Sequence, residues 1–220
     1  MQILDNIHAF FWNSMTANNC NTYLVDGPTR ILIDPGHISH FDHVRRELAK
    51  MNLGIEDLGL VLCTHAHPDH IEATQLFKQI SVPVAIHEAE WPLIQAMESQ
   101  IAAMGLSLDA IAPDLFLKAG DLNVQGLELK VYHTPGHSPG SVCFYRPGLK
   151  ALFTGDLVFK QGLGRTDLPG GDGELIKKSI LQMADLDVEW ILPGHGDVVS
   201  GANEVKQNFA QLEQFYFGYI

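Results

Sequence analysis

A mixed α/β (α+β) fold is predicted for this 220-residue chain by three observations. Short apolar runs recur along it, each ending in a turn that contains Gly or Pro. Between them, residues 41–51 and 71–80 space their apolar side chains as amphipathic helices do. A hydrophobic fraction of 46% supplies a good core, and the length suits one large domain, residues 1–220, better than two.

Taken in order, residues 21–25 and 30–33 read as a hairpin around Asp26-Gly27-Pro28, and the helix over 41–51 follows. The run Leu58-Gly59-Leu60-Val61-Leu62-Cys63 has the length and aliphatic content of a buried strand. A His-rich turn, the helix over 71–80 and a strand over 82–87 complete a β–turn–α–β unit. In residues 91–108, Ile94, Met97, Ile101, Met104 and Leu108 repeat at alternating three and four, which makes one apolar helical stripe. Packing on the body of the fold, a lid over a site and a homodimer seam would all use that stripe. Strand-like runs recur at 127–132, 150–153 and 188–192. The tail Phe215-Tyr216-Phe217-Gly218-Tyr219-Ile220 could close a core groove, meet a second subunit or line a channel.

The chemistry is concentrated in Thr64-His65-Ala66-His67-Pro68-Asp69-His70, where three imidazoles and a carboxylate fall directly after a strand. Neutral imidazole and ionised carboxylate suit zinc, iron or manganese. Three later junctions repeat the design: Thr134-Pro135-Gly136-His137, Thr154-Gly155-Asp156 and Pro193-Gly194-His195-Gly196. Each follows an apolar run and presents one His or Asp from a turn whose glycine permits close approach of backbone to an ion. Four junctions that all deliver ligand types, and none Lys or Phe, point to a metal site. His8, His37, His40, His43, His87 and His133 lack the full pattern and read as solvated or hydrogen-bonded structural histidines.

Composition narrows the partners. The net charge of −12 is spread along the chain without a basic stripe, so no nucleic-acid partner is expected. Two divalent ions would leave the site itself locally positive, which keeps an anionic substrate open. Cys20, Cys63 and Cys143 form no CxxC pair and read as inert core thiols. The N-terminus lacks the order of a secretory signal, and no apolar run approaches about twenty residues. A cytoplasmic protein without membrane contact is therefore expected.

The order HxHxDH, then His, Asp and His, resembles the metallo-β-lactamase superfamily over residues 21–196. The resemblance implies a four-layer αββα sandwich with two divalent metal ions at one edge, zinc first and iron or manganese next. It would give His65, His67 and His137 to one ion, Asp69, His70 and His195 to the other, and Asp156 to both, and would set the Asp34-Pro35-Gly36 turn under the site. The run Gly162-Leu163-Gly164-Arg165-Thr166-Asp167 is similar to the glyoxalase II group and its relative, persulfide dioxygenase. The best-known class B lactamases carry Cys where Asp156 stands, and quorum-sensing lactonases carry Tyr where Phe159 stands, so both activities are demoted.

Three features depart from the pattern. Longer glyoxalase II proteins continue into a helical glutathione-contacting domain, whereas residues 197–220 suffice for one helix. Arg165 and Asp167 replace a Lys and a Tyr, leaving Arg165 as the candidate binder of an anionic substrate group. Glu72 replaces the usual Gly and reads as an acid placed in the first helical turn.

The implied function is hydrolysis of a small-molecule thioester, of glutathione or another thiol, by water activated between two ions, with Asp69 and Asp156 as catalytic residues. A one-iron persulfide dioxygenase using His65, His137 and Asp156 is the runner-up, and hydrolysis of another ester or a lactone comes after it.

Overall fold

The computed structural model describes residues 1–14, 16–103 and 108–220. Among these, the first sheet is seven-stranded in simple chain order: β1 (Gln2–Leu4), β2 (Ile7–Phe10), β3 (Thr22–Val25), β4 (Ile31–Ile33), β5 (Leu60–Leu62), β6 (Val84–His87) and β7 (Leu115–Leu117). The hairpin expected around residues 26–28 is the antiparallel pair β3–β4, and β4 through β7 then run parallel.

The second sheet collects β8 (Gly120–Val124), β9 (Leu127–His133), β10 (Val142–Arg146) and β11 (Ala151–Gly155). Two short strands, β12 (Val158–Phe159) and β13 (Gly162–Leu163), make a separate ribbon, after which β14 (Trp190–Pro193) and β15 (Val199–Ser200) return to the sheet beside β11.

Side-chain alternation along the strands shows how the sheets stack. In the first sheet Leu24, Leu32 and Val61 face one apolar cluster, while Tyr23, Val25, Ile31, Ile33, Leu60 and Leu62 face another. That second cluster also receives Val142, Phe144, Ala151, Phe153 and Leu192, so it is the layer shared by both sheets. From the far face of the second sheet, Cys143, Tyr145, Leu152 and Ile191 enter a third cluster. A strand presents opposite faces with period two, and strands buried on both faces read as the unbroken apolar runs of the sequence. Truncating a side chain such as Phe153, fully buried between the sheets, would cost about 3–5 kcal/mol.

Helices cover the outer faces and complete the αββα sandwich. Helix α1 (Asp42–Ala49) buries Val44 and Leu48 on the first sheet. On the second, α7 (Gly173–Ala184) buries Ile176, Ile180 and Met183, and α8 (Ala202–Tyr216) buries Val205, Phe209 and Leu212. Both use the i, i+4, i+7 spacing of one helical face. Among the described residues no helix is long and apolar enough to cross a membrane.

Two expected helices are subdivided. Residues 71–80 become the end of α2 (Pro68–Ile71), a 3-10 turn at Glu72–Thr74 and α3 (Gln75–Lys78). The cause is tertiary: Ala73 N–H donates to Gly36 O at 2.8 Å and Gly36 N–H donates to His70 O at 3.1 Å. Both groups thereby leave the helical ladder. Residues 91–108 are likewise not one helix but α4 (Trp91–Ala96), which stops at Met97, then α5 (Glu98–Ala103) and the start of α6 (Leu108–Ile111). Ile94 is buried against the first sheet's outer cluster, with Met97 packed beside it. Of the rest of the stripe, Met104 and the side chains of Ile101 and Leu108 lie outside the described residues.

Candidate metal centre

The turns that carry ligand types all leave the same edge of the sandwich. β4 and β5 are parallel, β11 and β14 are parallel, and β9 and β11 both run antiparallel to β10. The ends of β4, β5, β9, β11 and β14 therefore emerge together, the place where open sheets hold their chemistry. Backbone bonds join the two sheets there: Val142 N–H donates to Thr64 O at 2.9 Å, and Asn21 N–H to Gly194 O at 2.6 Å. The Asn21 side chain adds bonds to Pro193 O at 3.1 Å and Gly196 O at 2.9 Å.

Seven side chains predicted from sequence converge at this edge. Ligand atoms of His65, His67 and His137 lie within 4.8 Å of one another, as do those of His65, His70 and Asp156, and those of Asp69, His70 and His195. His67 Nδ1 is 2.8 Å from His137 Nε2. Asp156 spans the rest: Oδ1 is 3.2 Å from His70 Nε2, while Oδ2 is 3.5 Å from His137 Nε2 and 3.4 Å from His195 Nε2. Asp69 Oδ2 sits 3.3 Å from His195 Nε2. Close approach explains Gly194, where a Cβ would stand 2.3 Å from Asp156 Oδ1 and 2.7 Å from the His70 ring.

Behind the cluster, other groups settle which ring nitrogens face inward. His137 Nδ1 lies 2.7 Å from Arg165 O; a carbonyl only accepts, so Nδ1 carries the hydrogen and Nε2 turns its lone pair to the cluster. His70 Nδ1 donates to Asp34 Oδ2 at 3.0 Å. Thr64 Oγ1 donates to the same oxygen at 2.7 Å and so accepts from His65 Nδ1 at 3.1 Å. The inward atoms His65 Nε2 and Asp156 Oδ1 are buried without a hydrogen-bond partner. Buried lone pairs and carboxylate oxygens facing one another are costly, at about 1–3 kcal/mol for each unpaired group, unless a cation lies among them. Imidazole nitrogen with carboxylate oxygen is the donor set that suits zinc, iron or manganese. The cluster fits divalent metal binding.

The electrostatics divide the cluster. Burial, with His70 charge nearby, pushes His65 well below the ordinary imidazole range and brings His67 down to about 4. Burial also lowers His137, against the opposing pull of Asp156. Burial lowers His70 and His195 as well, but there the carboxylates prevail: Asp156 and Asp34 hold His70 well above its usual value, and bonds to Asp156 and Asp69 lift His195 to about 9.

A cleft of about 620 Å³ opens over the cluster. Its walls include Asn18, Met97, Phe159, Leu163, Arg165 and Leu168 beside His67, Asp69, His137, Asp156 and His195. Arg165 is at this wall as expected, but its guanidinium is engaged by Asp167 through two 2.7 Å bonds. Met97 brings the α4–α5 junction to the cleft, so of the stripe's described side chains Ile94 packs on the sheet and Met97 both packs and borders the site.

None of the convergent groups among the described residues includes His8, His37, His40, His43, His87 or His133. Glu72 does more than sit at a helix start: it accepts from His37 Nδ1 at 2.7 Å and from Ile38 N–H at 3.1 Å, bracing the turn after β4. The three cysteines are buried free thiols, with Cys143 pushed up by burial to about 12.

The Asp34 turn was expected under the site, though not its bond to His70, and sequence reasoning missed three further supporting groups: Thr64 behind His65, Asn18 donating to Asp69 Oδ2 at 2.8 Å, and buried Glu90. Asp34 carried a signal, since it follows a buried strand as Asp156 does.

The family model described as the metallo-beta-lactamase superfamily matches residues 15–195. The chain is 32% identical over 210 residues to the probable metallo-hydrolase YqgX of Bacillus subtilis (strain 168), spanning 90% of this chain and 95% of that protein. It is 32% identical over 197 residues to the hydroxyacylglutathione hydrolase GloC of Haemophilus influenzae, spanning 86% and 91%. Among solved structures, that of TTHA1623 in a di-iron-bound form superposes with a TM-score of 0.71 at 32% identity, over 86% of this chain and 93% of that one.

Proposed function

The chain belongs to the metallo-beta-lactamase superfamily, and from that premise we propose that it is a hydrolase of small-molecule thioesters that works with two divalent ions. His65, His67 and His137 would hold one ion, Asp69, His70 and His195 the other, and Asp156 would face both. Bound there, such ions lower the pKa of coordinated water and polarise a carbonyl oxygen.

The observation that carries the thioester is the cleft wall. Apart from the cluster itself, Arg165 is the one ionisable residue lining it among the described residues, and an arginine stays protonated. Among the described residues the cleft wall offers no separate general acid for a strongly basic leaving group. A thiolate, whose conjugate acid has a pKa of about 8.5, departs without one, whereas an alkoxide or amine does not.

The residues divide the remaining work. Asn18 fixes the Asp69 carboxylate, which would orient the attacking water. Phe159, Leu163 and Leu168 line the cleft with apolar surface and limit competing solvent. Arg165 stands where an anionic end of the substrate would reach, in exchange with Asp167. Similarity to a protein named as a hydroxyacylglutathione hydrolase supports a glutathione thioester, and similarity to a structure in a di-iron-bound form makes iron a candidate beside the zinc that the donor set suits.

The test is metal content per chain by plasma mass spectrometry, paired with turnover of a hydroxyacyl-glutathione thioester and its oxygen-ester counterpart. Two ions and selective thioester cleavage are expected. One iron per chain, with oxygen uptake on a glutathione persulfide and no thioester cleavage, would overturn the reading in favour of a dioxygenase.

A further inference from the structure

Glu90 lies on the 3-10 turn Glu88–Glu90 that follows β6, a strand that delivers no ligand to the cluster. Its side chain is completely buried, yet no cation pairs with it among the described residues. Three donors surround it instead. Ala66 N–H donates to Oε2 at 2.9 Å, and Ser138 Oγ–H and Gly140 N–H both donate to Oε1 at 2.5 Å.

These donors come from the two loops that carry the three-histidine pocket. Ala66 is the residue between His65 and His67, and Ser138 directly follows His137. The proton pattern closes without conflict: Ser138 N–H donates to Ser141 Oγ, Ser141 Oγ–H to Ser138 Oγ, and Ser138 Oγ–H to Glu90. Every hydrogen points toward the carboxylate, which matches an acceptor-only Glu90. Burial raises its pKa while the same three donors oppose that rise.

Packing independently keeps the carboxylate against the second loop. A Cβ at Gly140 would stand 2.6 Å from Glu90 N and 2.7 Å from Glu90 Cγ, so only glycine lets this loop lie on the Glu90 turn. His133 adds a bond to Pro139 O at 2.8 Å and stacks on His87, at the start of the same turn, with ring centroids 4.2 Å apart.

We propose that Glu90 is a positioning residue for the three-histidine pocket: its carboxylate ties the His65–His67 loop to the loop after His137 and so sets His67 Nδ1 against His137 Nε2. The inference rests on the metal reading of the cluster and adds to it a residue that touches neither ligand nor substrate. Charge-assisted bonds to two N–H groups and a hydroxyl are strong enough to hold loops of different sheets in register. A glutamine in this place must aim its NH2 either at Ala66 N–H or at the Ser138 and Gly140 donors, which releases one loop. Outer groups that orient metal ligands typically affect ion affinity by about 10- to 100-fold.

The experiment is a cobalt(II) titration of the full-length protein against a competing chelator, followed by the visible d–d absorption of each binding step. His67→Ala identifies which step belongs to the three-histidine pocket. Glu90→Gln is expected to weaken that same step about 10- to 100-fold and shift its absorption, with the other step within about twofold of wild type. Ser138→Ala, which removes one of the three bonds, is expected to weaken the same step by a smaller factor and serves if Glu90→Gln does not fold. Equal loss in both steps, or a lowered melting temperature with both steps unchanged, would overturn the positioning role and leave Glu90 a general staple of the sandwich. The two readings fail separately. Two normal cobalt steps without thioester cleavage would sink the thioesterase alone, and a wild-type protein with no cobalt step would sink both.

Discussion

The two halves of the cluster are built on opposite electrostatic principles. His65 and His137 are buried, at 1% and 2% exposure, and the three-histidine half takes its character from desolvation, which favours the neutral form of its rings. In the other half, Asp69 and His195 reach the cleft, with His195 28% exposed, and carboxylates outweigh burial. Neutral donors make the first half a receptor for metal over protons. The second attracts positive charge of either kind. Each half is backed by one buried carboxylate from outside the ligand set, Glu90 behind the first and Asp34 behind the second.

The comparison breaks most completely at Asp156, which faces both halves through separate oxygens. Asp156→Ala should remove ions from both pockets and lower kcat/KM more than the roughly 100-fold limit of an outer-group change. Metal analysis showing one ion retained at full occupancy would mean that Asp156 serves a single half.

Asp34→Asn should sharpen the contrast, because it replaces an acceptor of Thr64 N–H, Thr64 Oγ–H and His70 Nδ1–H by a group that must also donate. Chelator competition should show the Asp69–His70–His195 pocket weakened about 10- to 100-fold, more than the three-histidine pocket. The reverse order would assign Asp34 chiefly to His65 through Thr64.

Proton competition gives a third and gentler probe. A raised pKa means tighter proton binding, so ion affinity in the second pocket should fall as pH drops below about 9, where His195 takes up its proton. In the first pocket, His67 competes for a proton only as pH approaches about 4. Titrations at pH 8 and pH 6 should therefore separate the two steps further at the lower pH, and parallel shifts would contradict the division.

The smallest effect is expected at Arg165. Its side chain is 62% exposed and already paired with Asp167, so Arg165→Ala should raise KM for a carboxylate-bearing thioester by less than about tenfold, with no change for a truncated one. An equal effect on both substrates would remove Arg165 from substrate binding.

The candidate ligand set was readable because metal coordination demands particular residue types and each lies just past a strand, a local pattern. His65, His67, Asp69, His70, His137, Asp156 and His195 could all be found this way, and the structure brings them together. The same local reading misjudged the helices over 71–80 and 91–108. Periodicity there was genuine, as the burial of Phe77 and Ile94 shows, but bonds between Gly36 and the His70–Ala73 backbone broke the first ladder. Glu72 does stand in a first helical turn as read, but its bond to His37 went unseen for the same reason, since His37 lies 35 positions away.

What the sequence by itself determined, then, was the kind of chemistry: donor atoms that prefer divalent ions, set at strand ends by short-range rules of burial and turn geometry. Tertiary structure alone decided how those donors are held. Asp34 meets Thr64 across 30 positions, Ala66 meets Glu90 across 24, and His137 meets the Arg165 carbonyl across 28. Such bonds join a carboxylate or carbonyl to a partner chosen by sheet order, and a backbone amide or carbonyl has no side-chain identity for a sequence to display.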